Sequence, residues 1–320
     1  MRHGDETCDY IATVENMKQK FVASAMQFTT QNPFSASIEL PTSHKQALRG
    51  RHAAQWQAAF DKEIQSLQKL GVYKLVNRRD LPPGANIITG KWVFKVKPRP
   101  DGSIERFKVR LCARGFLQRY GVDFTASFSP VASSATIKLL LAVAAKRRLK
   151  LCAADIATAF LFGALPKSER VYMEVADGIQ AAPGQVMELH RCIYGLKQAS
   201  RRFFERLSST LLKCGYTPTK ADPCLYQRRS PHGTTTLITT VVDDLLIAST
   251  TQAGARQVIA CLRDSGLETK DLGFPDYVIG MHIERAAHDG SILINQRLYI
   301  ETILRSFEIE HDQKGHKMSP

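Results

Sequence analysis

The clearest alternation of apolar and polar positions lies between residues 91 and 111. Residues 91–97 and 104–111 alternate one by one, and a segment with two prolines and a glycine separates them. Because successive side chains of a strand point to opposite faces, this pattern predicts a β-hairpin with an apolar back and a cationic front. The back would carry Trp92, Phe94, Val96, Phe107, Val109 and Leu111. The front would carry Lys91, Lys95, Lys97, Arg106, Lys108 and Arg110.

Apolar positions at helical spacing predict amphipathic helices at about residues 55–70, 136–148, 197–214 and 296–307. The first would bury Trp56, Phe60, Ile64 and Leu67. Two apolar runs flanking Asp243 and Asp244 predict a strand pair over 236–249 with the acids at its tip. A further hairpin is expected over 277–295, turning at 288–290. Helices that interleave with antiparallel hairpins predict an α+β fold.

The charge balance changes the interpretation of the hairpin. The chain carries 44 Lys and Arg against 30 Asp and Glu, a net charge of +14. Such an excess favours polyanions, of which nucleic acid is the usual one, and an ordinary basic surface is the alternative. A front with six cations and no acid exceeds what solubility needs, although a solvated outer face stays open.

The remaining composition excludes several classes of protein. No apolar run approaches about 18 residues, so we expect no transmembrane helix and no membrane partner. The amino terminus has no apolar core, so we expect no signal peptide. The seven cysteines show no C-x-x-C spacing, which argues against zinc and favours reduced thiols in the cytosol or nucleus.

Carboxylates interrupt two apolar segments. Asp155 is the only charged residue between Lys150 and Lys167, and Asp243 and Asp244 stand within Val-Val-Asp-Asp-Leu-Leu-Ile. Burying a carboxylate costs several kcal/mol unless a cation compensates it. Three such acids from two strand ends would hold two Mg²⁺ (or Mn²⁺) ions about 4 Å apart, the arrangement used for phosphoryl transfer. The alternative is that each acid caps a helix or a turn.

Several motifs in order resemble the reverse transcriptases of copia-type LTR retrotransposons. Val241-Val242-Asp243-Asp244 is similar to their Tyr-x-Asp-Asp signature. The other motifs are Lys91-Trp92-Val93-Phe94-Lys95 with Asp101-Gly102-Ser103, Arg110-Leu111, Ala113-Arg114-Gly115, Phe128-Ser129-Pro130-Val131, Val171-Tyr172-Met173, Tyr194-Gly195-Leu196-Lys197-Gln198-Ala199 and Lys270-Asp271-Leu272-Gly273. The resemblance extends from about Pro41 to Phe307.

The resemblance implies a right-hand polymerase fold and RNA-directed DNA synthesis. Asp155, Asp243 and Asp244 would be the catalytic acids and metal ligands. Lys95, Arg110, Phe160, Gly195 and Lys197 would bind the nucleotide, with Lys108 able to replace either cation and Phe160 excluding a ribose 2′-OH. Lys270 would be a general acid, and Gly280 and Met281 would lie in the primer grip. Taken alone, Phe160 is an ordinary core aromatic and Lys270 a surface lysine.

The implied partners are an RNA or DNA template with its primer and deoxynucleoside triphosphates. The implied location is inside the cell, in a cytoplasmic virus-like particle or the nucleus. We expect a lead-in over 1–45, fingers and the start of the palm over 46–150, the palm over 151–275, and a primer-grip hairpin with a partial thumb over 276–320. RNase H and integrase parts are expected to be missing from this chain.

Two departures keep alternatives open. Val241 stands where the family usually has Tyr, and Ser200 where it usually has Pro. Both changes favour a catalytically decayed nucleic-acid-binding remnant, whereas the intact acids oppose it. An unrelated two-metal nuclease is a third hypothesis, but it gives no role to Phe160 or to the cationic hairpin.

Overall fold

The computed structural model describes residues 39–99, 103–231, 233–286 and 290–306. The described residues fall into two compact units, 39–274 and 275–306. The helices are α1 His44–Ala47, α2 Ala53–Lys69, α3 Ser134–Lys146, α4 Ala199–Lys213, α5 Gln252–Asp264 and α6 Arg297–Ser306. The strands are β1 Tyr73–Asn77, β2 Ile87–Ile88, β3 Gly90–Pro98, β4 Ile104–Ala113, β5 Lys150–Ile156, β6 Val171–Glu174, β7 Gln185–Leu189, β8 Thr217–Pro218, β9 Leu225–Arg229, β10 Thr235–Val241, β11 Asp244–Ser249, β12 Thr269–Gly273, β13 Tyr277–Val278, β14 Met281–Arg285 and β15 Ile292–Asn295.

The mixture of helices and mainly antiparallel sheets confirms the α+β class. All four predicted helices are present as α2, α3, α4 and α6, with ends within two residues of those expected. Helix α5 was not predicted, although Thr251 caps its first turn by accepting a hydrogen bond from the backbone N–H of Gly254. The predicted turn of the last hairpin falls mostly on residues 287–289, outside the described residues.

One core lies between α2 and the β3–β4 hairpin. The register pairs Trp92 with Leu111 and Phe94 with Val109, so the predicted apolar back is confirmed. The Trp56 ring of α2 packs edge-on against the rings of Phe94 and Phe107, with ring centres 5.3 Å and 4.7 Å apart, respectively. Such aromatic pairs add about 0.5–1.5 kcal/mol each beyond their buried area. The hairpin is therefore fixed from behind, on the face opposite its cationic front.

The same core extends into a four-stranded sheet of order β1-β7-β6-β2. The second core lies on a six-stranded sheet of order β12-β5-β11-β10-β9-β8. Helices α4 and α5 bury Phe203, Leu207, Val258 and Leu262 against one face of this sheet. The strands β5 and β11, which carry the candidate acids, are interior strands of the sheet. Their positions are therefore fixed by neighbours on both sides.

Two expectations about side chains need correction. Cys214, which follows α4, is joined by a disulfide to Cys261 of α5 across 47 residues, so the expectation of reduced thiols is wrong for this pair. The spacing did not reveal it because the pairing depends on how the two helices pack. On α2 the fully buried position between Phe60 and Leu67 is Glu63, whereas Ile64 is only partly buried.

The unit that contains residues 275–306 holds the three-stranded sheet β13-β14-β15 and α6. Gly280 links β13 to β14 with φ +72°, next to Ile279 at φ +48°, and Met281 is buried. Across the described residues, no helix combines the length and the apolar character needed to cross a bilayer.

Candidate active site

Three acids meet at one end of the six-stranded sheet. Strands β5 and β11 run antiparallel, and their register places Asp155 directly opposite Asp244. Directly opposed residues of an antiparallel pair have Cα atoms about 4.5–5.5 Å apart and side chains on the same face. Asp243 adjoins them, since its carbonyl accepts a hydrogen bond of 3.0 Å from the N–H of Ile156. The acids that the sequence singled out are therefore neighbours in space.

A strained turn holds the tip of the β10–β11 hairpin. Val241 pairs with Asp244, so only Val242 and Asp243 form the connection. Val242 adopts φ +56°, in the left-handed region that β-branched residues rarely occupy. Such strain costs on the order of 1–3 kcal/mol, persists only where surrounding structure enforces it, and is concentrated at functional sites. The strand pairing on both sides of the turn supplies that enforcement.

The local electrostatics raise the pKa of two of the acids. Loss of water raises the pKa of Asp243, and the charge of Asp155 raises it further, against the opposing effect of Arg110. Loss of water raises the pKa of Asp244 to about 7, reinforced by repulsion from Asp243 and Asp155. Asp244 is nevertheless exposed to solvent, and Asp243 is half-buried. Solvent therefore still reaches the Asp244 carboxylate, although protein atoms surround its other sides.

The chemistry of these donors fits a divalent ion. Within the described ranges, no salt bridge joins any of the three acids to a cation, and nearby cations offset their mutual repulsion only in part. Hard divalent ions prefer carboxylate oxygens and would relieve that repulsion. In the same part of the chain, no three His, Cys, Asp or Glu side chains are already grouped around one point. The carboxylates would therefore have to turn toward an ion to share it.

The cationic front of the hairpin is confirmed by the strand register. Lys95 lies directly opposite Lys108, and Lys97 lies opposite Arg106, so these side chains share one face. Burial, together with the charges of Arg110, Lys97 and Arg106, lowers the pKa of Lys108 to about 8. Burial and the neighbouring Lys97 and Arg110 likewise lower the pKa of Lys95. The cations on this face repel one another, and a bound anion would relieve that repulsion.

The cationic front and the acids influence each other's ionisation. The charge of Asp155 raises the pKa of Lys108 against the stronger lowering by burial and by neighbouring cations. Arg110 and Lys108 similarly lower the pKa of Asp243, and Lys97 lowers that of Asp244, against larger opposing effects. These effects need proximity, so the predicted phosphate-binding and metal-binding surfaces border one site.

Tyr194 links Arg110 to Phe160. The guanidinium carbon of Arg110 lies over the Tyr194 ring at 4.3 Å from its centre. The Tyr194 ring contacts Phe160 edge-on, with ring centres 5.0 Å apart. Burial raises the pKa of Tyr194, so its hydroxyl stays protonated. Tyr194 thus contacts both Phe160, which is predicted to exclude a ribose 2′-OH, and Arg110, the predicted phosphate ligand. The sequence analysis gave Tyr194 no role of its own.

Glu63 is a second residue to which the sequence gave no role. It is buried beneath the hairpin, where its carboxylate accepts a hydrogen bond of 3.2 Å from the N–H of Leu111. Burial raises its pKa, and that hydrogen bond and Arg110 lower it. The signal was present in the sequence as a charge on the buried face of α2, whereas Tyr194 carried none beyond its place in a motif.

The two candidates in the 194–199 motif take different places. Gly195 has φ +88°, and a Cβ there would collide with the carbonyl oxygen of Ala113. The glycine therefore permits close packing against the end of β4, which is a structural reason distinct from ligand approach. Lys197 is exposed, and its amine lies 5.5 Å from the centre of the Phe124 ring.

Lys270 lies on β12 directly opposite Asp155. Lys270, Asp155 and Asp244 thus form one row across three strands on the same face of the sheet. Lys270 is exposed, as expected of an ordinary surface lysine, yet it lies beside the acids. Gly280 and Met281 belong to the other compact unit and are not part of this group.

Comparisons with known proteins agree with the resemblance found in the sequence. Residues 71–317 match a protein family described as reverse transcriptase (RNA-dependent DNA polymerase). The chain is 35% identical over 273 residues to a retrovirus-related Pol polyprotein from transposon TNT 1-94 of Nicotiana tabacum, covering 85% of the chain and 20% of that protein. It is 30% identical over 275 residues to the polyprotein from transposon RE2 of Arabidopsis thaliana, covering 85% of the chain and 18% of that protein. The chain thus spans about a fifth of these relatives.

Among solved structures, the chain is similar to a foamy viral protease–reverse transcriptase in complex with double-stranded DNA. The sequence identity is 14% and the TM-score 0.36, over 70% of this chain and 33% of the other.

Proposed function

The chain belongs to the reverse transcriptase (RNA-dependent DNA polymerase) family, with plant copia-type Pol polyproteins among its relatives, and on this premise we propose that it extends a primer 3′-OH on an RNA or DNA template by two-metal nucleotidyl transfer. The single observation that carries the proposal is the register that sets Asp155 opposite Asp244 beside Asp243. It brings together three carboxylates without a salt-bridge partner among the described residues, at the end of one sheet.

The three acids would hold the divalent ions. When bound, two ions would lower the pKa of the primer hydroxyl and stabilise charge on the departing pyrophosphate. The raised pKa of Asp244, about 7, means that this carboxyl must lose its proton before it becomes a ligand. Lys270, opposite Asp155, is placed to give a proton to the leaving pyrophosphate. This role for Lys270 is supported by its position alone.

The hairpin front and the aromatic residues would hold the incoming deoxynucleoside triphosphate. Arg110 offers a planar fork for a phosphate group, and Lys95 and Lys108 offer point charges. The Tyr194 ring beneath Arg110 would limit the movement of the guanidinium. Phe160, in edge contact with Tyr194, would present a bulky surface against a ribose 2′-OH. The Gly195–Lys197 turn would complete this side of the site.

The proposed frame is a right hand. The hairpin with the 46–150 segment would form the fingers and the start of the palm. The six-stranded sheet would form the palm over 151–275, and the 276–320 segment would carry the primer grip at Gly280 and Met281 with a partial thumb. The high positive charge of the chain supports a phosphate-dominated, salt-sensitive grip on template and primer.

Primer extension on poly(rA)/oligo(dT) with Mg²⁺ or Mn²⁺ tests the proposal. The full chain should incorporate dTTP, and the Asp243→Asn variant should not. The matched control is Asp264→Asn, at the exposed end of α5, which should extend primers like the unaltered chain. A folded sample that incorporates no more than its Asp243→Asn variant would contradict the enzyme proposal.

The second candidate is a catalytically decayed remnant that binds nucleic acid without turnover. It is favoured by Val241, which stands in place of the family's Tyr and is buried beside Asp244. Filter binding together with primer extension separates the two candidates. Retained binding with no extension would support the remnant, and extension would exclude it.

A further inference from the structure

The segment that follows β4 exposes aromatic rings and buries polar side chains. Phe116 and Tyr120 each show 76% of their surface to solvent, whereas Gln118 and Asp123 are buried between and beside them. Large apolar side chains that are exposed together, with polar ones inside, commonly mark a binding surface. We call Phe116 and Tyr120 the aromatic platform.

The buried polar residues fix the shape of this segment. The carboxylate of Asp123 accepts hydrogen bonds from the backbone N–H of Arg119 at 2.7 Å and from the Asn86 side chain at 2.6 Å. The side chain of Gln118 bonds to that of Gln198 at 3.0 Å and accepts from the backbone N–H of Lys197 at 2.8 Å. These hydrogen bonds tie the inner side of the loop to the rest of the fold, while both platform rings stay exposed on its outer side.

Within residues 114–128, the exposed charges have one sign. Arg114 and Arg119 are exposed beside the rings. The only acid between residues 114 and 128 is Asp123, which is fully buried. Exposed arginines interleaved with aromatic rings are the combination that binds unpaired nucleic-acid strands, because the cations follow the backbone and the bases stack on the rings.

The platform is continuous with the candidate active site. Arg114 follows the end of β4 and is four residues beyond Arg110. A Cβ on Gly115 would collide with the carbonyl of Gly195, so this loop packs directly on the motif that follows Tyr194.

We propose that Phe116 and Tyr120, flanked by Arg114 and Arg119, form a stacking site for single-stranded nucleic acid. Its identification as the unpaired template ahead of the nucleotide site rests on the proposed function. The stacking itself does not, since it requires neither a metal ion nor turnover.

The test measures binding of a fluorescently labelled oligo(dT) of about 12 nucleotides to the full chain in EDTA. Tyr120→Ala and Phe116→Ala should each weaken binding about tenfold. Tyr120→Trp should retain affinity because it keeps a flat ring. Tyr120→Leu should bind like the alanine variant, because it keeps apolar surface and loses the ring. Leu212→Ala, at an exposed apolar position of α4, is the control and should bind normally.

The outcomes separate this inference from the polymerase proposal. Normal binding by both alanine variants, with melting temperatures equal to that of the unaltered chain, would overturn the stacking site. Full affinity in Tyr120→Leu would also overturn it and would indicate an apolar protein-docking surface. Loss of binding in the alanine variants together with no primer extension by the unaltered chain would support the stacking site and count against the polymerase.

Discussion

The tip of the six-stranded sheet and the front of the β3–β4 hairpin carry opposite charges by different structural means. At the sheet tip, three acids occupy positions fixed by pairing on β5 and β11, and the turn between β10 and β11 holds Val242 at φ +56°. On the hairpin, cations recur along one face of two strands, interrupted at Val93, and Lys95 lies opposite Lys108. The acidic region depends on one specific geometry, whereas the hairpin distributes its positive charge over many positions.

This difference indicates which residues should be irreplaceable for the proposed activity. A divalent ion is held by specific oxygens, so the loss of one acid cannot be supplied by a neighbour. A triphosphate is attracted by summed charge, so the loss of one lysine is shared among the rest. Arg110 is the exception on the hairpin, because its stacking on Tyr194 gives it a fixed place.

The largest effect is expected for Asp155→Asn. Replacing a carboxylate by an amide keeps the shape and removes the negative charge of a proposed metal ligand, so primer extension should fall on the order of 1,000-fold or more. The measurement is single-nucleotide incorporation under saturating primer–template. Asp264→Asn should be normal, and a loss of tenfold or less in Asp155→Asn would show that geometry at the sheet tip is not decisive.

A smaller effect is expected for Arg110→Ala. Loss of a charge-assisted contact to phosphate should lower kcat/KM for the deoxynucleotide roughly 10- to 100-fold, mainly through KM. Arg110→Lys should recover only part, because an ammonium neither forks nor stacks in the same way. Lys97→Ala should cost much less, as one of several cations on the same face. Equal losses in Arg110→Ala and Lys97→Ala would remove the distinction drawn for Arg110.

A more selective effect is expected for Phe160→Ala. Removal of the ring should lower the preference for dTTP over UTP about tenfold, while dTTP incorporation falls less. Tyr194→Phe keeps the ring that contacts Phe160 and should leave the preference unchanged. The measurement is the ratio of kcat/KM for the two nucleotides. An unchanged ratio in Phe160→Ala would reduce Phe160 to a core aromatic.

Local patterns predicted much of this architecture. The alternation over residues 91–111 gave the hairpin and both of its faces, because strand periodicity fixes which side chains share a face. The isolation of Asp155 and the pair at 243–244 gave the acids, because an unpaired charge in an apolar run is costly. Proximity of these acids depended on strand order, which follows from packing. The cost of burying them pointed to a shared metal site, and the family resemblance implied the same grouping.

The residues that escaped prediction act through tertiary contacts. Tyr194 matters because Arg110 and Phe160 arrive from distant segments and touch its two sides. The Cys214–Cys261 disulfide depends on how α4 and α5 pack on one sheet. Glu63 was visible as a charge among buried positions of α2, but its partner is the backbone of a strand 48 residues away. Single-residue periodicity contains no information about such encounters.

The smallest expected effect concerns stability and pH at the sheet tip. The folded-state pKa of Asp244 is about 7, above its ordinary value of 3.8, so between these values the folded chain binds more protons than the unfolded chain. Without metal, stability should therefore fall as pH rises from about 4 to about 7 and then level off. The hairpin lysines predict no comparable trend in that range, since the pKa of Lys108 lies higher, at about 8.

Mg²⁺ competes with that proton, so stabilisation by Mg²⁺ should be weak at pH 6 and grow as pH rises past about 7. Melting temperatures with and without Mg²⁺ across this range should show a difference on the order of 1–3 °C that increases with pH. Asp244→Asn should abolish the pH trend and reduce the Mg²⁺ effect, while Asp264→Asn should retain both. A Mg²⁺ effect that is independent of pH would mean that Asp244 is not the carboxyl that exchanges its proton for the ion, and the sheet tip would then resemble the hairpin in responding to total charge alone.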